Sequence, residues 1–175
     1  MDLNLKKIRA FALDIDGVMT DGGVLAMPDG DILRVFNAKD SFALRMASLN
    51  GYGLAVITGG RSQSIFKRAL MCGVPEGDVY LWSRNKERDL RKFCEAHGYS
   101  PGEVMYFGDD IPDVAAIKAA GIGVAPSDAC AECIAAADFV SDFPGGHGCI
   151  RQSVEMVMKA QGRWKFDVDA YENRF

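Results

Sequence analysis

The chain has 175 residues, a formal net charge of −4, 49% hydrophobic residues and 25% charged ones. That is the balance of one ordinary globular domain with a core of its own, and it excludes a disordered or fibrous chain. The acidic excess argues against nucleic acid as a partner, which would need a basic stripe, and no apolar run reaches the roughly 18 residues of a membrane span. The opening segment Met1–Lys7 lacks the layout of a secretion signal, and the five cysteines are odd in number and irregular in spacing. A cytoplasmic, reduced protein is therefore expected, with no disulfide framework.

Taken in chain order, short apolar runs alternate with longer amphipathic stretches, which is the pattern of parallel βαβ units. Strands are predicted at Ala10–Leu13, Leu54–Ile57, Val79–Trp82, Val104–Phe107, Gly123–Ala125 and Phe139–Val140. Helices are predicted at Ser41–Asn50, Ser62–Cys72, Lys86–His97, Pro112–Ala120, Ala129–Ala137 and Cys149–Ala160. Right-handed crossovers wind such units into an open sheet covered on both faces, a three-layer α/β sandwich. One element breaks the alternation. Val24–Met27 and Ile32–Phe36 flank the turn Pro28-Asp29-Gly30 and read as a β-hairpin projecting after the first strand, over about residues 23–36. The expected organisation is a single domain over residues 1–161 and a polar tail over 162–175 carrying Trp164, Phe166, Tyr171 and Phe175. Cys130 and Cys133 lie three apart in an Ala-rich helical stretch, where such spacing merely shares a helix face.

Open parallel sheets bind ligands at the carboxyl ends of their strands. Strand one ends in Asp14-Ile15-Asp16-Gly17, strand two in Thr58-Gly59-Gly60-Arg61, and the fourth in Gly108-Asp109-Asp110-Ile111-Pro112-Asp113, while Lys86 opens the helix after strand three. Taken singly, each has a bland reading as a turn, a cap or a solvated lysine. Four strand ends delivering carboxylates, a hydroxyl and an ammonium to one rim form a constellation. Crowded carboxylates repel unless a cation holds them, and an all-oxygen set suits Mg²⁺. Magnesium in turn favours phosphate as a companion ligand, and the Gly59-Gly60 turn before a helix start offers backbone N–H groups to it. An aspartate can attack phosphorus directly. A response-regulator receiver uses the same ingredients, but there the acidic pair comes first and the lysine last; here the double Asp follows the Lys.

The set Asp14-x-Asp16-Gly17, Thr58-Gly59, Lys86 and Gly108-Asp109-Asp110-x-x-Asp113 resembles the haloacid dehalogenase superfamily of phosphotransferases. Within it the match extends almost end to end with the 3-deoxy-D-manno-octulosonate 8-phosphate phosphatases. It includes Phe36-Asn37-Ala38-Lys39-Asp40 after the hairpin and the closing block Pro144-Gly145-Gly146-x-Gly148-Cys149-Ile150-Arg151. The resemblance implies a Rossmann-like fold and Mg²⁺-dependent release of phosphate from this eight-carbon sugar acid in lipopolysaccharide precursor synthesis. It implies that Asp14 is the nucleophile, Asp16 the general acid and base, Thr58 a phosphoryl hydrogen-bond donor and Lys86 the neutralising cation. Asp14, the Asp16 carbonyl and Asp109 would hold the metal, with Asp110 and Asp113 steadying Lys86 and metal-bound water. Substrate contacts map onto Asn37, Ala38, Lys39, Asp40, Ser41, Arg45 and Arg68, and onto the Gly59, Gly60 and Arg61 turn.

The family commonly reads Thr-Gly-Arg, whereas Gly60 intervenes here and the arginine is Arg61. The gaps between motifs leave no room for a cap domain, so neighbouring subunits, through the apolar hairpin and the tail, are expected to close the site, and the resemblance implies a homotetramer. Two alternatives stand beside this reading. One is a phosphatase of the related 2-keto-3-deoxynononate 9-phosphate, whose relatives typically read Thr-Gly-Glu; the other is a phospho-accepting module without turnover, which would dispense with Asp16.

Overall fold

The computed structural model describes residues 3–165. Six parallel strands form one sheet: β1 (Ala10–Leu13), β4 (Gly53–Ile57), β5 (Val79–Tyr80), β6 (Val104–Phe107), β7 (Ile122–Ala125) and β8 (Phe139–Val140), in the order β5-β4-β1-β6-β7-β8. Two short antiparallel strands, β2 (Leu25–Ala26) and β3 (Ile32–Leu33), make a separate hairpin. The chain winds outward from β1 to one edge, returns, and winds to the other. The strand order therefore reverses beside β1, between β4 and β6, and that crevice is where such sheets bind ligands.

Side-chain alternation along β1 divides the core. Phe11 and Leu13 point to one face, where α1 (Ala38–Leu49), α2 (Gln63–Met71) and α6 (Cys149–Ala160) cover them through Leu44, Ile65 and Val154. Ala10 and Ala12 point to the other face, covered by α3 (Lys86–His97), α4 (Val114–Ala119) and α5 (Ala131–Ala136) through Phe93, Ile117 and Cys133. Each large apolar side chain buried in these layers contributes about 1.5–3 kcal/mol. Small alanines on the second face let those helices approach closely.

Several boundaries differ from the sequence reading, and at three of them the local reason is visible. Helix α1 begins at Ala38, ahead of Ser41, because the Asn37 side chain caps it by accepting the N–H of Lys39 and Asp40 at 2.8 and 3.2 Å. The helix expected from Pro112 starts instead with a 3₁₀ turn, Ile111–Asp113, and becomes α-helical at Val114. Strand β5 stops at Tyr80 because Trp82 turns to a φ of 56°, the one positive φ outside glycine among the described residues. In the tail, Trp164 packs on the core and Arg151 lies 4.6 Å over its ring; Phe166, Tyr171 and Phe175 fall outside the described residues. No helix is long and apolar enough to cross a membrane among the described residues.

Candidate active site

The carboxyl ends of β1, β4 and β6 open into a cavity of about 500 Å³ lined by Asp14, Asp16, Thr58, Gly59, Gly60, Lys86, Asp109, Asp110 and Asp113, together with Ser83 and Arg84. The motifs that strand ends were expected to deliver to one rim are thus brought together. The loop after β1 makes this possible by a tight fit. Gly17 has φ +83°, and a Cβ on it would lie 2.0 Å from Asp109 Oδ2. The closing block backs the same loop: a Cβ on Gly145 would lie 1.9 Å from the Gly17 carbonyl oxygen, and the Gly146 N–H donates to Val18 O at 2.9 Å. Only glycine permits both approaches.

The electrostatics explain the arrangement. Lys86 is 6% exposed and places its Nζ 2.7 Å from Asp14 Oδ2 and 2.8 Å from Asp113 Oδ1. Tyr106 donates its O–H to the same Asp113 oxygen at 2.6 Å. Burial alone would lower the Lys86 pKa, but the charges of Asp14 and Asp113 more than offset it and hold the ammonium above its ordinary value. Burial pushes Asp14 up to about 6 despite Lys86, with Asp113 adding to the rise. Asp109 is pushed up to about 7, chiefly by burial and then by Asp14 and Asp113. One ammonium does not satisfy this much buried carboxylate.

The unsatisfied atoms point the same way. Asp14 Oδ1, Asp109 Oδ1 and Asp113 Oδ2 are buried without a hydrogen-bond partner, and the three side chains bring ligand oxygens within 4.8 Å of one another. Three orphan carboxylate oxygens at that spacing fit a hard divalent cation. Asp113 is part of this cluster as well as Lys86's partner. Asp110, expected to steady Lys86, instead turns its carboxylate to the Ile111 N–H at 2.8 Å, capping the 3₁₀ turn, and stays at the cavity edge. Behind it, the Cys130 N–H donates to Asp109 O at 2.8 Å and Cys133 Sγ to Asp110 O at 3.1 Å, so the cysteine pair braces the Asp-Asp turn.

Asp16 has a partner that the motif reading missed. Arg34, on the hairpin and with its side chain 4% exposed, reaches down to clasp Asp16 with Nε on Oδ1 at 2.5 Å and Nη2 on Oδ2 at 2.9 Å. Its Nη1 donates to Ser62 Oγ at 3.1 Å. The signal was present: one arginine inside the apolar strand Ile32-Leu33-Arg34-Val35-Phe36. The fork-to-carboxylate geometry holds the guanidinium charged and ties the hairpin to the cavity. The lack of a side chain at position 60 follows from the core side chain beside it, since a Cβ there would meet Ile65 Cδ1 at 2.6 Å, while Arg34 Nη2 at 3.5 Å is an ordinary contact. The Gly60 N–H, expected to face phosphate, donates to Thr58 Oγ1 at 3.1 Å.

The remaining substrate-contact residues lie outside the cavity. Asp40 is fully buried and its carboxylate caps α6, accepting the N–H of Gly148 at 3.0 Å and of Arg151 at 2.7 Å; it is not available to a substrate. Asn37 donates to Gly146 O at 2.9 Å besides capping α1. Ser41 donates to Asn37 O and accepts from Arg68 at 2.6 Å, with the Arg68 guanidinium 5.7 Å from the Phe36 ring. Arg45 lies beside Gly73, at the far end of α2, and Ala38 opens α1. Lys39 lines a different groove with His147 and Arg151. These residues knit the hairpin, α1, α2 and α6 together. Arg61 lines a groove adjoining the cavity, with Arg34, Ser62 and Trp82.

Comparison with known proteins agrees with this geometry. Residues 78–150 match the haloacid dehalogenase-like hydrolase family. The chain is 31% identical over 158 residues to the 3-deoxy-D-manno-octulosonate 8-phosphate phosphatases of Salmonella typhi and Escherichia coli K12, covering 90% of this chain and 83% of each relative. Its fold superposes with a TM-score of 0.87 on the phosphatase of that name from Moraxella catarrhalis, solved with a magnesium ion, a phosphate ion and the sugar acid. The identity there is 29%, and the match covers 97% of this chain and 94% of that one. The chain belongs to the 3-deoxy-D-manno-octulosonate 8-phosphate phosphatase family of the haloacid dehalogenase-like hydrolases.

Proposed function

We propose that this chain is a Mg²⁺-dependent phosphomonoesterase that hydrolyses 3-deoxy-D-manno-octulosonate 8-phosphate to the free sugar acid and phosphate, a step toward lipopolysaccharide precursors. The observation that carries the reading is Asp14: one oxygen is held by Lys86 and the other is buried, free of any hydrogen bond and beside Asp109 and Asp113. The identity to relatives of that name supports the substrate.

Asp14, Asp109 and the Asp16 carbonyl are assigned to hold Mg²⁺, with Asp113 in reserve beside them; when bound, the ion offsets carboxylate repulsion and draws charge from the phosphoryl oxygens. The chain's own residues do the rest. An Asp14 oxygen attacks phosphorus, forming the aspartyl-phosphate bond as the bond to the sugar oxygen breaks. Asp16 gives that leaving oxygen its proton, then takes one from the water that attacks the aspartyl-phosphate. Lys86 keeps Asp14 oriented and balances the added phosphoryl charge, and Thr58 hydrogen-bonds a phosphoryl oxygen. A carboxyl that donates a proton cannot keep both bonds to a guanidinium, so one bond of the Arg34–Asp16 clasp opens as substrate seats while the other keeps Asp16 in place.

Residues 1–161 are read as the single catalytic unit, in the cytoplasm, and as part of a homotetramer. The support for assembly is the hairpin, which exposes Val24, Leu25, Leu33 and Val35, the last at 82%. Apolar side chains gathered on one projecting element are covered most simply by a neighbouring subunit. Sedimentation of the wild type and of Val35→Glu tests this, with dissociation of the variant expected.

The test of function is phosphate release from the octulosonate ester with Mg²⁺ and with chelator, alongside beryllium fluoride or radiolabelled phosphate trapping. Many turnovers, dependence on the metal and labelling of Asp14 are expected. Release that stops near one equivalent per chain, or label elsewhere, overturns the reading.

A further inference from the structure

The cavity is acidic at its floor, yet its ligand is an anion, so the rim has to supply the attraction. Two guanidiniums stand there without a carboxylate. Arg61, after β4, and Arg84, after β5, have no ion-pair partner among the described residues, in a chain whose net charge is negative. Both lie over the indole of Trp82, at 4.7 and 3.8 Å from a ring centroid. Trp82 itself is held where a tryptophan is costly. It is 51% exposed and adopts φ 56°, a conformation that disfavours any side chain with a Cβ. Its backbone is pinned to the catalytic loop: the Trp82 N–H donates to Gly60 O at 2.9 Å and the Ser83 N–H to Thr58 O at 2.9 Å.

Strain of this kind persists where surrounding structure imposes it, and it gathers at sites that bind. The position also matters. Arg84 lines the catalytic cavity and comes within 3.7 Å of where a Cβ on Gly59 would be, while Arg61 and Trp82 line the adjoining groove of about 360 Å³. Cavity and groove share Gly59 and Gly60 in their linings, so the three side chains stand along one continuous depression.

We propose that Arg61, Trp82 and Arg84 form a clamp that takes the carboxylate of the substrate's leaving group and sets this chain's preference for acidic over neutral sugar phosphates. The inference rests on the phosphatase reading given above and adds Trp82 and Arg84 to Arg61, which the family resemblance already places among the substrate contacts. The indole holds two planar forks at the rim in advance, and each fork can receive a carboxylate in two parallel hydrogen bonds. Stacking costs the guanidiniums none of their edge donors, so the same arrangement that orders them leaves them free to bind.

The test compares wild type with Arg61→Ala/Arg84→Ala and with Trp82→Gly, which suits the observed φ and removes the platform without opposing the backbone. Each is assayed with Mg²⁺ on 3-deoxy-D-manno-octulosonate 8-phosphate, on a neutral sugar monophosphate and on p-nitrophenyl phosphate, with circular dichroism to check folding. The ratio of kcat/KM for the acidic sugar over the neutral one is expected to fall at least about tenfold in both variants, mainly through KM, as loss of charge-assisted hydrogen bonds requires. Inhibition by the free sugar acid should weaken in parallel. Equal losses on all three substrates, or an unchanged ratio, overturn the clamp. So does a wild type with no preference for a carboxylate. A wild type that prefers a different carboxylated ester refutes the octulosonate assignment instead, and the clamp is then judged by the same ratio on that ester.

Discussion

A nucleophilic carboxylate must be ionised, oriented and short of hydrogen-bond partners on its attacking oxygen. Asp14 meets the last two conditions through Lys86 on one oxygen and nothing on the other. The first is costly, because burial has pushed its pKa up to about 6. Asp14→Asn removes both the chemistry and the cost. Phosphate release should fall by about 10⁴-fold or more, as loss of a nucleophile does, while the metal-free protein melts at a higher temperature than wild type at pH 8. A variant that melts lower would show that the Lys86 contact outweighs the burial penalty. Arg34 belongs to the same scale. Arg34→Ala releases the bidentate hold on Asp16 and the link to Ser62, so kcat should drop by about 10–100-fold through misplacement of Asp16. Lysine at 34 should recover little, because an ammonium cannot reproduce the fork. Steady-state kinetics on an aryl phosphate checks both statements.

Elements turn single residues into a site, and the clearest case is α6. Its N-terminus is not capped by its own sequence: Gly148 precedes it, and the carboxylate comes from Asp40 in the first turn of α1. This contact locks the two helices that cover one face of the sheet and holds the Gly145-Gly146 turn against Gly17. Asp40→Ala loses two hydrogen bonds to a charged group, a cost of about 2 kcal/mol. In a chain of this size that lowers Tm by about 4–8 °C. KM for the sugar phosphate should hardly move, and a large rise in KM with unchanged Tm would restore Asp40 to substrate binding. That the strand-end aspartates, Thr58 and Lys86 converge on one cavity was legible in the sequence, because the pattern of alternating strands and helices puts every strand end on one rim. Asp40, Asn37 and Ser41 carried an equally clear motif, but their partners lie far along the chain, at Gly146, Gly148 and Arg68, and no local pattern says whether such a residue faces a ligand or another helix. Arg34 was hidden for a related reason: its hairpin reads as a two-stranded ribbon, and only the fold bends the ribbon back over Asp16. Trp82 was read as the end of a strand, since an aromatic residue after Val79-Tyr80-Leu81 gives no sign of a positive φ.

At the scale of the whole molecule, the site is a store of unfavourable charge that a cation relieves, and stability should report it. Asp14 and Asp109 have folded-state pKa values raised to about 6 and about 7 from 3.8. Between about pH 4 and 7 the folded chain therefore binds more protons than the unfolded one, so these groups make the metal-free protein less stable as pH rises through that window. Carboxylates with lowered values, Asp89 and Glu155 among them, act in the opposite sense but at lower pH, and have finished titrating by about pH 5. Burial raises Asp40 as well, so the interval from pH 5 to 8 reads the buried carboxylates together and the Asp14→Asn variant separates the share of Asp14. In chelator, wild-type Tm should decline across this interval, and Asp14→Asn should flatten part of the decline. Magnesium binds the ionised cluster and not the unfolded chain, so at about 100 times its Kd it adds about 2.7 kcal/mol, or about 5–10 °C in Tm. The gain should be largest at pH 8 and shrink toward pH 5, where protons compete for the same oxygens. Calorimetry at three pH values, with and without the ion, gives both slopes. A magnesium effect independent of pH would place the ion away from Asp14 and Asp109.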